Sequence, residues 1–139
     1  MTDADLERIE SELGVTLPEA YKRFQRSYPD ALSAVRESGW EGDPEDMYWL
    51  FYRPEHVVLY TKSNRESMPV TGEAGEAIPW PRNYLVIGRQ GTSGGDFFCL
   101  DVTYPDDSVW VFLHEEGCFY LKAKSLAEYA ARLQLRFCP

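Results

Sequence analysis

Hydrophobic periodicity changes at Tyr84, and this change constrains the fold more than any other feature of the chain. From there on apolar residues alternate in four short runs: Tyr84 to Ile87, Asp96 to Val102, Ser108 to His114 and Cys118 to Leu121. The linkers Gly91-Thr92-Ser93-Gly94-Gly95, Tyr104-Pro105-Asp106-Asp107 and Glu115-Glu116-Gly117 are short enough to join neighbouring antiparallel strands. An antiparallel meander is predicted. Val109, Val111 and Leu113 alternate with Trp110, Phe112 and His114, so both faces carry apolar residues. Helices are expected to cover one face. The other, with Phe97, Trp110, Phe112 and Tyr120 or their neighbours of opposite parity, is left to a partner or to the chain's own loops.

Before Tyr84 the pattern is helical. Leu6, Ile9 and Leu13 share a face, Thr2 and Asp5 are spaced for a capping box, and Gly14 supplies a left-handed stop. Pro18 is placed at the first position of a second helix with Tyr21, Phe24 and Tyr28 on its apolar side, ending at Pro29. A further turn or two fits between Asp30 and Ser38, followed by an acidic loop with Gly39, Gly42 and Pro44. Met47 to Tyr52 reads as a strand, Pro54 as the start of a helix carrying Val57, Val58 and Tyr60 or Thr61, and Asn64 to Pro81 as a loop. Ser125-Leu126-Ala127-Glu128 announces a closing helix with Leu126, Tyr129, Ala130 and Leu133 buried. The fold class is therefore α+β: a mostly antiparallel sheet of about five or six strands, with N-terminal helices and a C-terminal helix packed on it, in one domain spanning residues 1–139.

The formal net charge of -9 argues against general affinity for nucleic acid or anionic membrane and favours a basic partner. Cys99, Cys118 and Cys138 show no pairing rhythm and are expected as free thiols in a reducing compartment. No apolar run approaches the ~20 residues of a membrane helix, and Met1 to Asp5 does not read as a secretory leader, so a cytoplasmic location is expected.

No catalytic or metal-binding constellation emerges, and neither enzyme activity nor a cofactor is expected. His56 falls in a helix first turn; His114 and Cys118 form a loose pair without the further ligands of a zinc site. Cys99 lies inside an apolar strand, which makes it buried and inert rather than a nucleophile. The glycines from Gly88 to Gly95 lack the lysine and following helix of a phosphate-binding loop and read as a turn.

The order of short motifs says more than any one of them. Leu13-Gly14, Leu17-Pro18 followed by Tyr21 and Phe24, Leu85-Val86-Ile87-Gly88, Gly95-Asp96, Cys99-Leu100-Asp101, Val109-Trp110, His114-Glu115, and Ser125-Leu126 with Tyr129 together resemble the SUKH superfamily. That superfamily includes bacterial immunity proteins of toxin systems and is related to a fungal cell-wall-assembly regulator. The resemblance implies helices on a mostly antiparallel sheet and a non-catalytic role: binding and blocking a cognate toxin domain, a nuclease or deaminase with a basic groove among the candidates. The alternative it implies is a regulatory or scaffold module of the cell-wall-regulator type. The acidic stretch from Arg36 to Asp46 departs from a minimal version of the pattern, and is either partner-specific or a solvated loop.

For the partner-binding surface, an aromatic centre with an acidic rim is expected: Trp40 and Trp80, with Glu41, Asp43, Glu45, Asp46, Asp106, Asp107, Glu115 and Glu116. Each tryptophan has the alternative role of plugging the domain's own core.

Overall fold

The computed structural model describes residues 1–37, 48–90 and 95–137. Its first helix, α1 (Asp3–Leu13), begins where Thr2 and Asp5 form a reciprocal capping box, and it buries Leu6, Ile9 and Leu13. It ends at Gly14, whose φ of 66° is the left-handed conformation that a glycine adopts without a Cβ penalty. Helix α2 (Glu19–Arg26) follows, with Pro18 at the N-cap, one position before the expected place. Its buried residues are Tyr21 and Gln25, while Phe24 and Tyr28 pack at the margin of the core. Gln25 donates through Nε2 to the Phe51 carbonyl at 2.9 Å, and so ties the helix to the strand region. Helix α3 (Asp30–Glu37) completes the N-terminal set and buries Leu32.

Five strands form one sheet in the order β1-β4-β5-β6-β7. They are β1 (Tyr48–Leu50), β4 (Tyr84–Gln90), β5 (Phe97–Asp101), β6 (Val109–Leu113) and β7 (Cys118–Ala123), and every neighbouring pair is antiparallel. The expected meander is present, and β1 extends it by one strand beside β4. Gly88 has a steric reason: a Cβ there would sit 2.3 Å from the Trp49 carbonyl oxygen, so a side chain would push β1 away.

The segment between β1 and β4 differs from the expected short helix and long loop. Helix α4 (Pro54–Ser67) continues past Asn64, and a small separate hairpin, β2 (Val70–Thr71) with β3 (Ala77–Ile78), follows. The final helix, α5 (Leu126–Phe137), buries the four expected residues Leu126, Tyr129, Ala130 and Leu133. Ser125 Oγ accepts the Glu128 N–H at 3.1 Å at its start.

Helices occupy both faces rather than one. Tyr60 of α4 lies 6.3 Å from Phe97, and Tyr129 of α5 lies 4.9 Å from Phe98. Adjacent residues of one strand point to opposite faces, so the two helices are separated by the sheet. Helix α1 packs on α4, while α2 and α3 pack beside α5. The Phe97 face also carries Phe112 and Phe119, its cross-strand neighbours, and Trp80 closes over them at 4.9 and 5.2 Å. The aromatic face is therefore covered from within the same chain, as one of the two sequence alternatives held. Tyr120 belongs to the other face, because the turn after β6 sets Phe119 opposite Phe112 and Tyr120 opposite Val111.

Where β1 stops, the outer edge of β4 is sealed by other groups. Val86 N–H donates to Thr61 Oγ1 at 2.9 Å, Trp80 Nε1 donates to the Tyr84 carbonyl at 2.8 Å, and Phe51 N–H donates to the Ile87 carbonyl at 2.7 Å. Sealing of this kind blunts an edge that would otherwise template pairing with another chain.

Candidate partner-binding surface

The β6–β7 turn and the small hairpin meet at one end of the sheet. Thr71 N–H donates to the Gly117 carbonyl at 3.0 Å and Thr71 Oγ1 to the Glu116 carbonyl at 2.9 Å, which docks β2 onto the turn. The docking is close, since a Cβ on Gly117 would meet Thr71 Oγ1 at 2.4 Å. Its consequence is electrostatic. The β2–β3 turn carries Glu73 and Glu76, the β6–β7 turn carries Glu115 and Glu116, and all four side chains are exposed. None has a basic partner among the described residues.

The helical side differs. There Asp3 pairs with Arg26 at 2.8 Å, Glu10 with Lys22 at 3.5 Å, and Glu12 with Arg8 and Lys62 at 3.3 and 3.4 Å. Four exposed carboxylates without a basic partner among the described residues are thus gathered at the hairpin end. Two of its carboxylates have internal partners: Glu116 accepts the Tyr120 hydroxyl at 2.6 Å, and Glu76 accepts the Ala74 N–H at 3.0 Å. That bond to Glu116, with its negative charge, raises the Tyr120 pKa above the ordinary phenol value.

His114 stands at the same end. Its Nδ1 lies 2.7 Å from Asp96 Oδ1, the same oxygen accepts the His114 N–H at 3.0 Å, and the ring packs against Gly95. The imidazole is therefore oriented by Asp96 rather than paired with Cys118. Among the described residues no group of three or more His, Cys, Asp and Glu side chains is placed to hold a metal ion. Burial pushes the Cys99 thiol well above its ordinary pKa, and a thiolate there is disfavoured. His56 packs its ring 5.5 Å from Phe51.

Of the residues expected at the rim, the described acidic ones fall into two pairs on either side of β6. Glu115 and Glu116 follow β6, whereas Asp106 and Asp107 precede it, so the length of a five-residue strand lies between the two pairs. The aspartates serve the fold locally: Asp107 Oδ2 accepts the Leu126 N–H at 3.3 Å at the start of α5, and Asp106 Oδ1 accepts the Ser108 N–H at 3.3 Å. Trp80 is 3% exposed, so of its two expected roles the structure places it in the core plug. Trp40, Glu41, Asp43, Glu45 and Asp46 lie outside the described residues. Sequence reasoning missed Glu73 and Glu76, which it left in a loop. The signal was present as Val70-Thr71 and Ala77-Ile78 flanking a glycine-containing turn.

The motifs that carried the family resemblance can be located as well. Asp101 is buried and accepts from Asn83 Nδ2, Thr103 N–H and Thr103 Oγ1, which closes the end of β5. Leu17 is held by its N–H donating to Glu10 Oε2 at 2.8 Å. The sequence profile of the SMI1 / KNR4 family (SUKH-1) matches residues 1–132. The chain belongs to this family. Most of the motifs that carried the resemblance, from Leu13-Gly14 to Ser125-Leu126, are spent on caps, strand closure and core and so identify the fold, whereas His114-Glu115 is exposed at the hairpin end. No curated protein and no solved structure shows a significant match to this SUKH-1 chain. No helix among its described residues is long and apolar enough to cross a membrane.

Proposed function

We propose that this chain is an immunity-type inhibitor, which binds a cognate basic toxin domain and blocks it by occupancy rather than by catalysis. The observation that carries the reading is the set of uncompensated carboxylates Glu73, Glu76, Glu115 and Glu116 on two turns docked together. A patch of one sign held on hydrogen-bonded turns attracts a patch of the other sign and steers encounter. Membership of SUKH-1 accommodates this reading as well as the regulatory-module alternative, and an acidic patch suits a groove shaped for polyanions such as that of a nuclease.

The test is co-expression with each toxin domain encoded beside this chain, followed by purification. A stoichiometric complex that protects the cell, and whose association slows steeply with added salt, is the expected result. Absence of both complex and protection with every such domain rejects the proposal, and leaves the regulatory-module alternative, which predicts several weaker partners.

A further inference from the structure

The two edges of the sheet are treated differently. On one side the terminal strand is the short β1, whose Leu50 carbonyl accepts the Tyr28 hydroxyl, and the part of β4 beyond it is sealed by Thr61, Trp80 and Phe51. On the other side β7 is last in the strand order, and its middle is open: Tyr120 is 46% and Leu121 53% exposed. Cover is confined to its two ends: Thr71 donates to the Glu116 and Gly117 carbonyls just before it, and after its middle Arg132 Nη1 donates to the Lys122 carbonyl at 3.3 Å and Lys124 N–H donates to Glu128 Oε2 at 3.0 Å. Among the described residues, no hydrogen bond from another element except β6 reaches the backbone of Phe119 to Leu121.

The charges along this strand are ordered. Glu115 and Glu116 stand before it, and Lys122 and Lys124 stand at its far end. A strand with acid at one end and base at the other is complementary to its own copy run in reverse, since antiparallel pairing exchanges the two ends. We propose that β7 is a self-association edge, on which a second copy of this chain adds its own β7 antiparallel with Tyr120 opposite Tyr120. Lys122, left without a β6 partner at the register shift between Leu121 and Ala123, then lies at the end of the paired stretch, near Cys118 of the other copy and the carboxylate that Glu116 holds at the Tyr120 hydroxyl. Lys124 is carried toward Glu116 itself. Leu121 and Phe119 stand opposite each other across the pair, which covers the exposed leucine. The result is a continuous sheet across the two-fold axis, with main-chain hydrogen bonds at its centre and opposite charges at both ends.

Lysine on an edge strand is also a device that prevents pairing, and the two roles give opposite results. Sedimentation velocity from micromolar to millimolar concentration, at low and high salt, is expected to show a monomer–dimer equilibrium that salt weakens. Lys122→Glu sets two carboxylates together, and dissociation should become easier by about tenfold or more. Adding Glu116→Lys to Lys122→Glu should restore the dimer, while thermal melts establish that each variant is folded. Hydrogen exchange is expected to slow at the Phe119 to Leu121 amides as concentration rises. A chain that remains monomeric at millimolar concentration overturns the proposal. So does a dimer that Lys122→Glu leaves unchanged, a double variant that fails to re-associate, or protection of these amides only when a toxin domain is added.

Discussion

Thr61 has no exposed surface, and its hydroxyl takes the Val86 N–H at 2.9 Å in the stretch of β4 that β1 does not reach. A buried amide without a partner costs about 1–3 kcal/mol, more than a made hydrogen bond contributes on balance. Thr61→Val keeps the shape and removes the acceptor. It is expected to lower unfolding stability in urea by about 1–3 kcal/mol, whereas Thr61→Ser should recover most of the loss. A valine variant as stable as the parent would mean that water reaches this edge. Nothing in the sequence marks Thr61 for this role, because its partner is twenty-five residues away and is a backbone group. Trp80 is a similar case. Flanking prolines placed it in a loop correctly, but a loop tryptophan can turn inward or outward. The decision here came from Phe112 and Phe119, which offered it two edge-to-face contacts.

Elements whose ends are set by local chemistry were legible. Helix α1 has its capping box, its apolar stripe and its glycine stop within a short stretch, and all of these were read correctly. The box also makes a prediction about acid. Asp5 Oδ2 accepts the Thr2 N–H at 2.8 Å, and this backbone hydrogen bond, with the Thr2 side chain and the N-terminal charge, holds the Asp5 carboxyl below its ordinary value of 3.8. A carboxyl whose folded pKa is depressed contributes stability in full above the unfolded value and loses it as pH falls through the folded one. Between neutrality and pH about 5 the α1 amides should therefore exchange at a constant protection. Below 3.8 the protection of the first turn should fall before that of the sheet, and Thr2→Ala should reproduce the loss at neutral pH. Simultaneous loss in α1 and the sheet would show that the cap has no separate effect. Elements that depend on distant contacts were less legible. After Thr61, α4 buries only Asn64, and it stops at Met68 without a glycine, so neither stripe nor cap revealed its last turn. The two-residue strands of the small hairpin are too short for a periodic signal, which leaves the glycine-containing turn as their one mark in the sequence, and Thr71 holds them to the β6–β7 turn. The face of Tyr120 depended on a register that the turn fixes and that strand composition leaves open.

At the scale of the molecule, a charge of -9 says that the surface repels itself but not where. The structure distributes it. Asp3, Glu10 and Glu12 find Arg26, Lys22, Arg8 and Lys62 nearby, whereas Glu73, Glu76, Glu115 and Glu116 on the turns at one end of the sheet find no basic partner among the described residues. Exposed like charges held close together weaken a fold slightly, so such a cluster is informative when relieving it improves stability at the expense of a function. Glu73→Gln with Glu115→Gln removes two carboxylates that accept no hydrogen bond in the described structure, and leaves Glu116 and Glu76 to their internal partners. The midpoint of thermal unfolding should stay level or rise. The rate of association with the toxin domain should fall several-fold and lose part of its salt dependence, with the dissociation rate little changed, as expected of charges that steer encounter. If the variant is destabilised instead, these carboxylates are part of the fold. If stability and association rate both stay at the parent's values, recognition uses another surface, and the concentration of charge at this end has only a solubility role.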